Sequence, residues 1–97
     1  MGTYVVLIQF TDQGIRTIKN SPQRASQVQE MAKSFGCQMK DIYWTLGQYD
    51  IVSIVEANDD QGLTAFGLAL GSGGNVRTQT MRAFNKNEIA SIIGKLP

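Results

Sequence analysis

Histidine is absent from the 97 residues of this chain. That absence removes Ser-His-Asp and Cys-His catalysis, the commonest general base, and the usual zinc and haem ligands. Cysteine occurs once, at Cys37, so no internal disulfide can form and the chain is no secreted disulfide scaffold. A single thiol and dispersed carboxylates do not make a transition-metal site, and nothing supports a carboxylate-only magnesium or calcium site. No metal and no cofactor is expected. Basic runs are missing too: nine Lys and Arg are scattered, and the net charge is +1. Tracking a phosphate backbone needs concentrated positive charge, so a nucleic-acid partner is not expected. No apolar stretch is long enough to span a bilayer. Met1-Gly2-Thr3-Tyr4 has no charged leader and runs straight into a strand pattern. Val6 stands where an N-myristoylation signal wants Ser or Thr. A cytoplasmic protein with no membrane partner is expected.

What is present reads as one domain over residues 1–97. A monomer of this size buries only about 60–65% of its unfolded surface, so partner subunits often supply the missing burial. Thr3 to Phe10 is almost unbroken β-branched, aromatic or apolar sequence, which predicts a strand covered on both faces. Thr11-Asp12-Gln13-Gly14 is turn chemistry, and Ile15 to Asn20 reads as a connector with room for a helical turn. Ser21 as N-cap and Pro22 at the first helical position open a helix. Its apolar stripe is Ala25, Val28, Met31, Ala32 and Phe35, and Gly36 closes it in a left-handed conformation. The adjacent Cys37 has no basic neighbour to activate it and reads as a small buried side chain.

Gln38–Leu46 and Tyr49–Ala57 are expected to be strands, joined by Gly47-Gln48 as a two-residue type II′ turn. Asn58-Asp59-Asp60 caps a second helix to Leu70, with Leu63, Phe66 and Leu70 on one side. Gly71-Ser72-Gly73-Gly74 lacks the spacing of a phosphate loop and has no helix after it, so it reads as a connector. Val76–Phe84 is a fourth strand. Asn85 and Glu88 form a capping box for a short helix with Ile89, Ile92, Ile93 and Leu96 on one face. The order β-α-β-β-α-β-α, with a hairpin between the middle strands, predicts an α+β, ferredoxin-like split βαβ sheet with both long helices on one face.

A two-residue turn pairs Leu46 with Tyr49, Thr45 with Asp50, Trp44 with Ile51 and Tyr43 with Val52. Alternation then places Ile42, Trp44, Leu46, Tyr49, Ile51, Ser53 and Val55 under the helices. Asp41, Tyr43, Thr45, Asp50, Val52, Ile54 and Glu56 fall on the opposite face. A contiguous apolar patch there implies a covering partner, most economically a second copy related by a twofold axis. The fourth strand adds either Arg77 and Gln79 or Thr78, Thr80 and Arg82, and its weak alternation leaves both parities open. Tyr43, Thr45, Tyr49 and Asp50, with Arg77 or Arg82, are thus the candidate ligand-binding residues. Asp50 and Tyr43 are also the candidate catalytic pair. Against that stands a plainer reading, in which Tyr49 and Asp50 serve the turn and the arginines pair with surface carboxylates.

Several segments carry a family resemblance. They are Thr3-Tyr4-Val5-Val6-Leu7, Thr11-Asp12-Gln13-Gly14-Ile15-Arg16, Ser21-Pro22-Gln23-Arg24, Tyr43-Trp44-Thr45-Leu46-Gly47-Gln48-Tyr49-Asp50 and Gly74-Asn75-Val76-Arg77-Thr78. Together they resemble the GYD family, small bacterial and archaeal proteins named for a Gly-Tyr-Asp signature. Here Gln48 separates Gly47 from Tyr49. The resemblance implies a dimeric α+β barrel built from ferredoxin-like subunits and no established activity. Relatives by fold include cofactor-independent monooxygenases, lactone isomerases, haem enzymes and ligand-sensing regulatory domains.

Three functions follow as expectations. The first is a homo-oligomeric module that binds a small molecule without chemistry. The second is a cofactor-independent isomerase or monooxygenase acting on a ring substrate, with Asp50 as general base. The third is a purely structural oligomerisation protein.

Overall fold

The structure is a computed structural model describing residues 1–97. Its elements are β1 (Gly2–Phe10), α1 (Asp12–Arg16), a 3-10 turn (Ile18–Asn20), α2 (Ser21–Lys33), β2 (Cys37–Trp44), β3 (Ile51–Ala57), α3 (Asp60–Ser72), β4 (Val76–Ala83) and α4 (Lys86–Ile93). The strands form one antiparallel sheet in the order β2-β3-β1-β4. This is the α+β, ferredoxin-like arrangement the sequence predicts. The segment after β1 differs in one respect: α1 begins at Asp12, inside the expected turn, and the 3-10 turn occupies the expected connector. Thr11 caps α1 by accepting from the Gly14 amide at 3.1 Å, and Arg24 holds the segment through the Thr17 hydroxyl at 2.6 Å.

The core lies between the sheet and α2 and α3. Tyr4, Val6 and Ile8 of β1, Met39 of β2, and Ile51, Val55 and Ala57 of β3 face Ala32, Leu63 and Phe66. Every second residue of β3 is buried from Ile51 to Ala57, the period of two that a half-covered strand requires. Residues between them are half-exposed, as are Val5 and Leu7 of β1. In the single chain, therefore, the helices cover one face of β1 and leave the other open.

The hairpin keeps its expected register but not its expected turn. Tyr43 pairs with Val52 and Trp44 with Ile51. The ladder stops there, and Leu46 to Tyr49 form a longer loop closed by the Thr45 amide on the Asp50 carbonyl at 2.9 Å. Gly47 adopts φ 112°, open only to glycine. Leu46 is consequently fully exposed rather than packed beneath a helix. Further back, a bulge between Met39 and Asp41 absorbs one residue of β2. Without it the Met39 and Ile42 side chains could not both face the helices.

Other helix boundaries differ by local chemistry. Ser21 is the first residue of α2 rather than its cap, because the preceding 3-10 turn already supplies the helical approach. Its hydroxyl accepts from the Trp44 indole at 3.0 Å instead. Asp59 caps α3 through the Gly62 amide at 2.7 Å, and α3 continues to Ser72 through part of the expected connector. The capping box of Asn85 and Glu88 is present. The apolar face it introduces is uncovered: Ile93 and Leu96 are 56% and 68% exposed.

Candidate functional site: the open sheet face

Pairing with β1 settles the parity of β4. Leu7 lies opposite Gln79, Val5 opposite Met81 and Gln9 opposite Arg77. Arg77, Gln79 and Met81 therefore share the open face with Val5, Leu7, Val52 and Ile54, whereas Thr78, Thr80 and Arg82 lie on the helix side. The middle of this face is an apolar band. Asp41 and Tyr43 of β2 border it on one flank, Arg77 and Gln79 of β4 on the other, and Glu56 of β3 stands at one end.

The four candidate residues of the hairpin occupy four settings. Tyr43 stands on the band and is 60% exposed in the single chain. Thr45 is spent on the loop, where its hydroxyl donates to the Tyr49 carbonyl at 2.6 Å. The Tyr49 phenol reaches over the open face to donate to the Gln79 side-chain oxygen at 2.8 Å. Tyr49 is thus on the opposite side from that expected, because the longer loop breaks strand alternation before it. Asp50 lies at the end of the β1–β3 ladder: its amide donates to the Ile8 carbonyl at 2.8 Å, and its carboxylate accepts from the Phe10 amide at 2.8 Å. The side chain stands in for the backbone rung that β3 no longer provides there.

The structure does not bring the two arginines together. Arg77 is exposed on the open face. Arg82, on the helix side, lies 4.5 Å from the Phe84 ring centroid and 5.4 Å from that of Tyr4, and reaches Glu88 at 3.9 Å. It also donates to the Thr3 carbonyl at 3.2 Å, so it braces the root of α4. No three carboxylate or thiol groups converge in a way that would hold a metal ion.

Two groups have displaced protonation equilibria, both off this face. The hydrogen bond from Tyr4 to Asp60, followed by burial, pushes the Tyr4 phenol above its ordinary value. Burial, followed by the negative charge of Asp59, pushes the Cys37 thiol up. Neither shift suits a group poised for proton transfer near neutrality. Sequence reasoning missed Val5, Leu7 and Met81 as members of the open face. The unbroken apolar run of β1 was the available signal for the first two; Met81 had none, since its strand does not alternate.

The GYD domain family model matches residues 4–93. A Thermus thermophilus protein named glutamine synthetase and cystathionine beta-lyase binding protein is 37% identical over 97 residues, covering 99% of each chain. Among solved structures, a protein of Thermus thermophilus aligns with a TM-score of 0.55 and 26% identity, over 88% of this chain and 95% of that one. The leucine response regulatory protein of Mycobacterium tuberculosis aligns with a TM-score of 0.66 and 19% identity over 88% of this chain. This chain spans about half of that regulator, covering 51% of it, and the likeness is one of fold. No helix is long and apolar enough to cross a membrane.

Proposed function

This chain belongs to the GYD domain family, and from that premise we propose that it is a non-catalytic binding protein that pairs with itself and docks on a metabolic enzyme. The observation that carries the reading is the open sheet face. Val5, Leu7, Val52, Ile54 and Met81 form one apolar band on a 10.6 kDa chain, bordered by polar groups. An apolar centre with a polar rim is the anatomy of an interface. A second copy presenting the same face buries both bands. The pair would enclose Tyr43 and the Tyr49–Gln79 hydrogen bond at its margins.

The enzyme client is suggested by the full-length relative, whose name gives glutamine synthetase and cystathionine beta-lyase as what it binds. Purified glutamine synthetase and cystathionine β-lyase immobilised for interferometry should each be tried against the chain at micromolar concentration. Saturable binding to one of them supports the client class. Absence of binding to both, from a chain shown to be a dimer, removes it.

The catalytic reading has weaker support. Asp50 is engaged by the Phe10 amide, and no base lies in hydrogen-bonding contact with the Tyr43 phenol. A cytoplasmic site of action accords with this reading and is part of the proposal.

A further inference from the structure

The two long helices do not close over the sheet evenly along their length. At one end the Phe35 and Phe66 rings meet at 6.1 Å, and Gly62 is pressed so close to the Phe35 carbonyl that a β-carbon would sit 2.4 Å from its oxygen. At the other end, where α2 begins and α3 stops, Ser21, Arg24 and Ala25 of α2 and Ala69 and Leu70 of α3 border open space. Between them and the sheet lies a cavity of about 240 Å³, floored by Ile8 and Val55 and walled by Val28, Met31, Phe66 and Leu70. Val28, Met31 and Leu70 face inward yet remain half-exposed, because the cavity opens beside them. Protein interiors pack as densely as organic crystals, with few voids larger than a water molecule. This volume equals roughly eight waters, and each needs two to four polar partners. On the floor, Ser53 already donates to the Asp41 carbonyl at 2.8 Å, and the remaining polar side chains of the lining gather at one end.

Those groups are Ser21, Arg24 and Asn75. Ser21 is 3% exposed; its oxygen accepts from Trp44, and its own proton has no acceptor. Arg24 donates to the carbonyls of Thr17 and Gly14 and to the Thr17 hydroxyl, all neutral, and no carboxylate lies within ion-pair distance of it. Asn75 accepts from Gln13 through its side-chain oxygen, leaving its amide hydrogens unspent. An apolar chamber with one uncompensated guanidinium and two spare donors at its mouth is complementary to an amphiphile with one anionic end.

We infer that the cavity between α2, α3 and the sheet binds a small monocarboxylate, its apolar body among Val28, Met31, Phe66 and Leu70 and its carboxylate at Arg24, Ser21 and Asn75. A cavity of about 150 Å³ takes benzene, so this one holds an apolar body of roughly ten carbons. The site is separate from the open sheet face and stands whether or not the enzyme-docking reading does.

The probes are naphthoate and decanoate, with naphthylmethanol as the uncharged control, titrated into the full chain by calorimetry and followed by amide NMR. Naphthoate should bind one per chain, with shifts at Ala25, Val28 and Leu70 and none at Val52 or Ile54. Naphthylmethanol should bind about tenfold more weakly, the scale of one charge-assisted hydrogen bond. Arg24→Gln should abolish that difference, and Val28→Trp should fill the chamber and eliminate binding of both. Equal affinity of acid and alcohol in the unaltered chain would overturn the carboxylate assignment without needing any variant to fold. No saturable binding of either acid, or shifts confined to the open face, would overturn the site itself.

Discussion

The carboxylate of Asp50 closes the end of the β1–β3 ladder on the Phe10 amide, which makes its first duty structural. Asp50→Ala leaves that half-buried N–H without an acceptor and should cost about 1–2 kcal/mol. For a domain this size, that lowers Tm by roughly 4–8 °C per kcal/mol. Asp50→Asn keeps a side-chain oxygen and should lose less than half as much in the same melt. An Asp50→Asn loss equal to that of Asp50→Ala would show that charge, not the rung, matters. The two raised pKa values give a signed expectation. Unfolded Cys37 ionises near pH 9 and unfolded Tyr4 near pH 10, and both folded values lie higher. The folded chain therefore holds protons that the unfolded chain has released. The stability they contribute is complete below the unfolded values and is lost as pH rises through the folded ones. Urea melts from pH 7 to 11 should show a shallower alkaline decline for Tyr4→Phe than for the unaltered chain. At pH 8, a disulfide reagent should modify Cys37 slowly in the folded chain and quickly in denaturant.

Among the elements, the junction of α1 with the α3–β4 connection is the tightest. A β-carbon on Gly14 would lie 1.9 Å from the Asn75 carbonyl oxygen, and the Thr11 amide is tied to that same oxygen at 3.0 Å. Because the obstacle is backbone, Gly14→Ala should destabilise by about 1–3 kcal/mol or more, read by chemical denaturation. A stability within a few tenths of a kcal/mol of the parent would mean the junction can open. The hairpin shows how far local patterning reaches. Alternation placed Tyr43 against Val52 and Trp44 against Ile51 because each side chain's face follows from a period of two. It failed at Leu46 and Tyr49, where the loop leaves the ladder and period no longer governs direction. Ser21 failed differently: as an N-cap it was chemically reasonable, but the Trp44 indole, distant in sequence, claims its hydroxyl.

The molecule as a whole is longer than its residue count requires. Its radius of gyration is 14.6 Å and its extents are 52 × 30 × 18 Å, against about 12.5 Å expected for a compact chain of this length. A thickness of 18 Å is that of one sheet and one helix layer; α4 stands off this body with its isoleucines uncovered. An eight-residue helix gains too little from its own hydrogen bonds to persist alone. Arg82 at its root, reaching Glu88 and the Thr3 carbonyl, supplies one tie to the body. Under the self-association reading, sedimentation should give twice the 10.6 kDa of one chain. Val52→Lys, which puts a charge in the centre of the band, should shift the species to monomer with the helical signal retained. A monomer before the substitution would end that reading. Sequence alone determined the order of the four strands and of α2, α3 and α4, though not α1, together with the hairpin register beside the turn and the two long helices' apolar stripes, because each follows from near neighbours and simple periods. Only the tertiary structure decided which face of β4 joins the open side, where Tyr49 points, and that a cavity lies between α2, α3 and the sheet. Those depend on pairings between residues far apart in the chain, whose geometry no local pattern encodes.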